Sequence, residues 1–225
     1  MSDQPFIPAL RFEALTRFYD PAVGLTTRES LFKARIVGQL SPLPGQKILD
    51  LGCGSGTLAI ELCDKEPQAR VTGLDADPEI LKRARAKAAG RAGITFDEGF
   101  SNDLPYEDSA FDAVVSTLFF HHLSPETRRE TAAELVRVLR PGGRLHVADW
   151  DRPASPLMRV LSLGIRLLDG FEATRDNFAG RLPGILERAG FTAVARTGMT
   201  PTMFGTIGLL EALGPETEPG AGADQ

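Results

Sequence analysis

The chain reads as an α/β protein built on an open, Rossmann-like sheet with helices on both faces. Between residues 45 and 150, short β-rich runs alternate with helical patterns, the signature of βαβ units around a parallel sheet. At the start of that stretch an apolar strand runs straight into a glycine-rich turn and then a helix, Ile48-Leu49-Asp50-Leu51-Gly52-Cys53-Gly54-Ser55-Gly56-Thr57. The 225 residues, 42% hydrophobic and 24% charged, suffice for one substantial core, so a single domain is expected.

The elements follow in order. Residues 9–41 offer two helical stretches, one around Leu10–Phe18 and one from Glu29 to Leu40. The first strand is Lys47–Leu51, followed by a helix beginning near Thr57, and the second strand is Arg70–Leu74. Asp77 caps the next helix, with Pro78 in its first turn and Ile80, Leu81, Ala84 and Ala88 on one face. Ile94–Glu98 and Phe111–Thr117 are the third and fourth strands. Ser124 then caps a helix with Pro125 first, Glu126 in the opening turn and an inner stripe of Ala132, Leu135, Val136 and Leu139. Pro141-Gly142-Gly143 is expected to stop that helix and turn the chain into a fifth strand, Arg144–Trp150. Beyond it, Pro156–Leu168 reads as a very apolar helix and Leu182–Ala189 as another. Phe191–Thr197 and Phe204–Leu210 read as a hairpin whose connection contains Gly198 and Pro201. From Gly214 onward no large apolar residue remains, so the end of the chain is expected to be a disordered tail.

Composition narrows the function. A net charge of −5 disfavours nucleic acid as the main ligand. Cys53 and Cys63 form no CxxC pattern, which argues against a zinc site or a disulfide framework and fits a reducing cytoplasm. The start MSDQPFIPAL lacks the marks of a signal peptide, and no segment approaches the roughly 18 apolar residues of a membrane span. The expectation is a cytoplasmic protein, mature as the whole chain and without stable membrane insertion.

The glycine loop carries the chemistry. Three glycines at spacing two leave bare backbone where a ligand must come close, at the carboxyl end of the first strand, the usual crevice of such sheets. Nineteen residues past Gly56, Asp75 ends the second strand, where a carboxylate can accept from both hydroxyls of a ribose. A dinucleotide fingerprint would need glycine at position 57, which is Thr57, and a phosphate-binding loop would need an absent Gly-Lys-Ser/Thr. Asp50, inside the strand, would repel a pyrophosphate but suits a cationic nucleoside; it could equally brace the loop through backbone hydrogen bonds.

Four blocks in register, LDLGCGSG (49–56), VTGLDADPEIL (71–81), DLPYEDSAFDAVVS (103–116) and RVLRPGGRLHVADW (137–150), resemble the class I S-adenosylmethionine-dependent methyltransferases, in particular the ubiquinone/menaquinone-biosynthesis subgroup. The resemblance covers residues 45–150. It implies a seven-stranded sheet of order 3-2-1-4-5-7-6 with the last strand antiparallel, and S-adenosyl-L-methionine as cofactor. It further implies that Gly52, Gly54, Ser55 and Gly56 line the methionine and adenosine moieties, that Asp75 holds the ribose, and that Ala76 lies beneath the adenine. Relatives often place an acidic residue where this chain has Phe100, which leaves adenine to Ser101 and to stacking on Phe100. Thr117 falls where the family approaches the sulfonium and the acceptor. The implied layout is an N-terminal helical cap (1–44), a cofactor-binding core (45–150), acceptor-side helices with a final hairpin (151–213) and a tail (214–225). The implied reaction is methyl transfer to a small organic acceptor, lipophilic or quinone-like.

Other candidates carry plainer alternatives. His121 and His122 sit where a general base would act, or simply lead the chain into the Ser124 cap. A metal site joining them to His146 is not expected, since His146 lies in a different strand. Cys53 reads as a small residue in a tight turn. Leu157–Leu168, with Arg159 and Arg166 on one face, reads as a helix covering the sheet, against a lid or a lipid-facing surface. Glu172, Arg175, Asp176 and Asn177 form a polar cluster on the acceptor side, and Tyr19 and Arg28 belong to the N-terminal cap. A nicotinamide-dependent oxidoreductase shares the loop and acid but is opposed by Thr57 and the later blocks. A catalytically silent cofactor-binding subunit is the other alternative.

Overall fold

Alternation along the first strand sets both faces of the molecule. In β1 (Lys47–Leu51) Ile48 points into one core cluster, shared with Val71, Ala113 and Val115, while Leu49 and Leu51 point into a second with Val114, Leu145 and Val147. Burial on both sides is what a central strand of a parallel sheet requires. The computed structural model describes residues 29–169 and 177–216; Leu10–Phe18, Tyr19, Arg28, Glu172, Arg175 and Asp176 lie outside them.

Six further strands complete the sheet: β2 (Arg70–Asp75), β3 (Ile94–Glu98), β4 (Phe111–Thr117), β5 (Leu139–Asp151), β6 (Thr192–Thr202) and β7 (Gly205–Leu213), in the order β3-β2-β1-β4-β5-β7-β6. The first five are parallel, and β7 runs antiparallel to both β5 and β6. On one face α1 (Glu29–Leu40), α2 (Thr57–Lys65) and α3 (Pro78–Lys87) bury Phe32, Ile36, Leu58, Leu62 and Leu81. On the other, α4 (Pro125–Val138) and α6 (Leu182–Ala189) bury Leu135 and Leu186. Between β5 and α6 runs α5 (Pro156–Asp169). Both expected caps are present: the Asp77 carboxylate accepts from Glu79 and Ile80 N–H, and the Ser124 hydroxyl from Thr127 N–H.

The boundaries that depart most from the sequence reading are the start of β5, which takes in Leu139 from the expected helix stripe, and the end of β6. Pro141-Gly142-Gly143 is not a turn ahead of β5 but an irregularity within it: the strand starts at Leu139, opposite Phe111, and its register slips before Arg144 pairs with Ala113. Gly142 takes φ +67°, which lets the chain bulge without leaving the sheet. Gly198 and Pro201 likewise lie inside β6, paired with Leu209 and Thr206. Proline is tolerated there because β6 is the edge strand and needs no donor on its outer side. The hairpin turns instead at Met203-Phe204, where the Thr202 hydroxyl accepts from Phe204 N–H and donates to Gly205 C=O. Gly214 and Pro215, at the start of the expected tail, are bonded to Gly143 and Gly142.

The strand order reverses between β1 and β4. Their carboxyl ends, Leu51 and Thr117, therefore flank the crevice in which ligands bind in sheets of this type. The buried Ser116 hydroxyl donates to Leu51 C=O at 2.9 Å and ties the two ends together.

Candidate active site

After Leu51 the chain must leave the sheet and start α2 within five residues, Gly52 to Gly56. Gly52, Gly54 and Gly56 take φ of +68°, +51° and +75°, a region that other residues enter only with strain. A side chain at Gly52 would collide with the Phe119 ring, whereas one at Gly54 would meet nothing within 4 Å, so bare backbone borders open space there. The loop is held to the end of β2. Gly52 and Cys53 N–H donate to Leu74 C=O at 2.9 and 3.0 Å, and Gly54 N–H donates to Asp75 Oδ2 at 2.9 Å.

Asp75 is thus part of the loop's frame. Its Oδ1 accepts from Asp77 N–H at 3.0 Å, so each oxygen takes one backbone donor and keeps capacity for another. Burial raises its pKa, against the pull of the Asp77 and Gly54 N–H groups. Asp50 is fully buried beneath the loop and serves α2. That helix starts from Gly56, which has no side chain to cap it, and Asp50 Oδ2 accepts from Ala59 N–H at 3.1 Å instead. Asp50 Oδ1 has no partner. Burial pushes its pKa up to about 7, against the attraction of buried Lys33, which itself pairs with Glu29. The Ser55 hydroxyl accepts from Lys87 Nζ at 2.7 Å. Cys53 is a buried thiol whose pKa burial raises, so it is protonated and inert at neutral pH.

Beside the end of β2 opens a cavity of about 330 Å³ lined by Ala76, Glu98, Gly99, Phe100, Asp103 and Pro105. Phe100 is exposed on its wall. The Ser101 hydroxyl is buried and pairs with the Thr131 hydroxyl at 2.7 Å. Sequence reasoning did not single out Glu98 and Asp103, which bring carboxylates to the cavity. Thr117 is half-buried at the end of β4, opposite Ala148 of β5.

The chain then kinks at Leu118, which takes φ +52°, and enters a 3-10 turn, Phe120–His122. Here the two histidines separate. His121 is buried: its Nδ1 lies 2.7 Å from Asp149 Oδ1 and its backbone N–H donates to Asp149 Oδ2 at 3.2 Å. His122 is exposed, with its ring 3.9 Å from that of His121, centroid to centroid. Burial works against the charge on Asp149, but His121 and the Trp150 N–H outweigh it and lower its pKa. Arg128, buried in α4, donates to Phe120 and Leu123 C=O and fixes the turn from the other side. Asp149 and Arg128 were missed in the sequence, where the signal was a charge inside an otherwise apolar strand or helix face. His146 is buried in β5, away from this turn, and among the described residues no cluster of His, Cys, Asp or Glu could hold a metal.

Residues 48–143 match the family model described as a methyltransferase domain. An uncharacterized methyltransferase of Synechocystis sp. is 32% identical over 169 residues, 75% of this chain and 77% of that protein. The chain belongs to the class I S-adenosylmethionine-dependent methyltransferase family. A demethylmenaquinone methyltransferase of Deinococcus radiodurans is 42% identical over 113 residues, 50% of this chain and 46% of that protein, so the match spans about half the length of that relative. Among solved structures, the magnesium protoporphyrin IX methyltransferase of Synechocystis PCC 6803 with bound SAH superposes with a TM-score of 0.67 at 26% identity, covering 94% of this chain and 90% of that one. The nicotinamide reading gains no support from these matches.

The residues present fit the family's cofactor. Open space borders Gly54, a buried Asp50 oxygen lacks a partner, Asp75 keeps acceptor capacity, and a cavity between Ala76 and Phe100 is wide enough for a base.

Proposed function

We propose that this protein binds S-adenosylmethionine in the crevice between β1 and β4 and uses it to methylate a lipophilic, quinol-type acceptor. The observation that carries the reading is the glycine loop bonded to Asp75, which couples a carboxylate with spare acceptor capacity directly to the backbone beside open space. The acceptor class is supported by relatives named as demethylmenaquinone and ubiquinone/menaquinone methyltransferases.

When bound, the cofactor supplies a methyl group already activated on a cationic sulfonium. The protein need then mainly orient the reactants and exclude water. Asp75 accepts from the ribose hydroxyls, and Gly52, Gly54, Ser55 and Gly56 line the amino-acid side. Ala76 and Phe100 flank the adenine, with Glu98 and Asp103 as acceptors for its amino group in place of the acid that Phe100 replaces. Asp50 contributes negative potential beneath the loop. Thr117 borders the acceptor. His122, beside the buried His121–Asp149 pair, has its pKa pushed down to about 3 by desolvation and by His121, so it stays neutral and faces the acceptor's hydroxyl as a hydrogen-bond acceptor rather than a strong base.

Calorimetry with S-adenosylmethionine tests the cofactor: binding is expected, weakened about tenfold or more in Asp75→Ala through loss of charge-assisted hydrogen bonds. No binding, or an unaffected variant, overturns the reading. S-adenosylhomocysteine release with naphthoquinols and benzoquinols, against phenols, amines and fatty acids, tests the acceptor. Turnover confined to the amines or fatty acids refutes the quinol class while leaving the cofactor site standing.

A further inference from the structure

A band of apolar side chains stands in solvent along one edge of the molecule. On α5, Leu157, Val160 and Leu163 are 63%, 64% and 49% exposed. Steps of three residues keep them on one side of the helix. Ser162, on the opposite side, is buried: a Cβ at Gly205 would lie 3.4 Å from its own. The β6–β7 turn thus adjoins the buried side of α5, and its Met203 is 63% exposed.

Charge singles out the occupant. From Arg152 to the end of α5 the chain carries Arg152, Arg159 and Arg166 against the single acid Asp169, in a protein with a net charge of −5. Arg159 is exposed on α5, and Arg152 is exposed ahead of the helix, its stem near Gly180. A second copy docking through the same face would set these cations against their own equivalents, since a two-fold contact pairs a patch with itself. An anionic lipid surface offers both the apolar depth and the opposite charge. No described helix is long and apolar enough to cross a membrane, so the contact is peripheral.

We propose that α5 and the β6–β7 turn seat the protein on an anionic membrane surface, with Leu157, Val160, Leu163 and Met203 entering the headgroup boundary and Arg152 and Arg159 meeting lipid phosphates. Because α5 follows the carboxyl end of β5, this seat adjoins the edge of the sheet that carries the glycine loop. The proposal stands on the patch alone and does not depend on the methyl-transfer reading.

Flotation of the full chain with phosphatidylcholine vesicles, with and without phosphatidylglycerol, tests it. Binding is expected to vesicles containing phosphatidylglycerol and to weaken in high salt. The triple variant Leu157→Glu, Val160→Glu, Leu163→Glu should lower partitioning by about a hundredfold or more, and Arg152→Gln with Arg159→Gln by about fivefold per cation. Circular-dichroism melting checks that each variant folds, and cofactor binding in the same variants separates this test from the activity. Failure to bind either vesicle overturns the proposal. So does a concentration-dependent dimer in ultracentrifugation that the triple variant abolishes, which would assign the face to a second copy.

Discussion

Asp50 performs a task that the local sequence leaves undone. Gly56 permits the tight loop but cannot cap α2, and the carboxylate below it supplies the missing acceptor, at the cost of burying a titratable group. Its folded pKa of about 7 lies above the ordinary 3.8, so the folded state favours the protonated form. That contribution is fully present below about pH 4, declines as pH rises through 7, and levels off above. Relative to Asp50→Asn, the unfolding free energy of the native protein in urea should fall by roughly 4 kcal/mol between pH 4 and pH 8. Cofactor affinity should run the other way and tighten above pH 7, because a cationic ligand favours the ionised carboxylate. Gly52 is the second demanding position. Gly52→Ala meets both the Phe119 ring and a left-handed backbone, and thermal melting should show a loss of about 2–3 kcal/mol that Phe119→Ala relieves only in part, since the φ strain of roughly 1 kcal/mol remains. The need for glycine in the loop was legible in the sequence because it is local, whereas the bond from Gly54 N–H to Asp75, 21 residues on, was not. Nor was the Phe119 contact, because it joins segments 67 residues apart.

At the scale of elements, the turn after β4 is held by β5 through Asp149 and by α4 through Arg128. Asp149→Asn removes a charge that accepts from three donors, the His121 ring, His121 N–H and Trp150 N–H. A loss of about 2–3 kcal/mol in equilibrium unfolding is expected, together with a change in the tautomer of His121 readable by nitrogen-edited NMR. The expected boundaries of β1, β3 and β4 match those found, since apolar runs bounded by turn residues define them. Those of β5 and β6 could not be read, for a physical reason. Glycine and proline mark turns in an isolated chain, yet Gly142 is accommodated in a bulge and Pro201 on an open edge, and both environments exist only once the neighbouring strands are in place. The His121–Asp149 pair was illegible on the same ground, as it depends on β4 and β5 lying side by side.

For the molecule as a whole, a ligand in the crevice contacts the ends of several strands and binds only the assembled sheet. Saturation at about a hundredfold over its dissociation constant should add about 2.7 kcal/mol and raise the melting temperature by about 5–10 °C, which differential scanning fluorimetry with and without S-adenosylmethionine would register. The sheet order itself was legible through the resemblance of four blocks, while the exposed band on α5 became visible only when the burial of each of its sides was known. The position of β7 carries a consequence for biosynthesis. It is made after both of its neighbours, yet it lies between β5 and β6. Until it arrives, a nascent chain holds an open edge on β5 and a β6 with nothing to pair to, and both are templates for wrong partners. A chain ending at Thr202 should accumulate as inclusion bodies where one that includes β7 is recovered folded, so β5 and β6 stay open to wrong partners until the strand made after both has inserted between them.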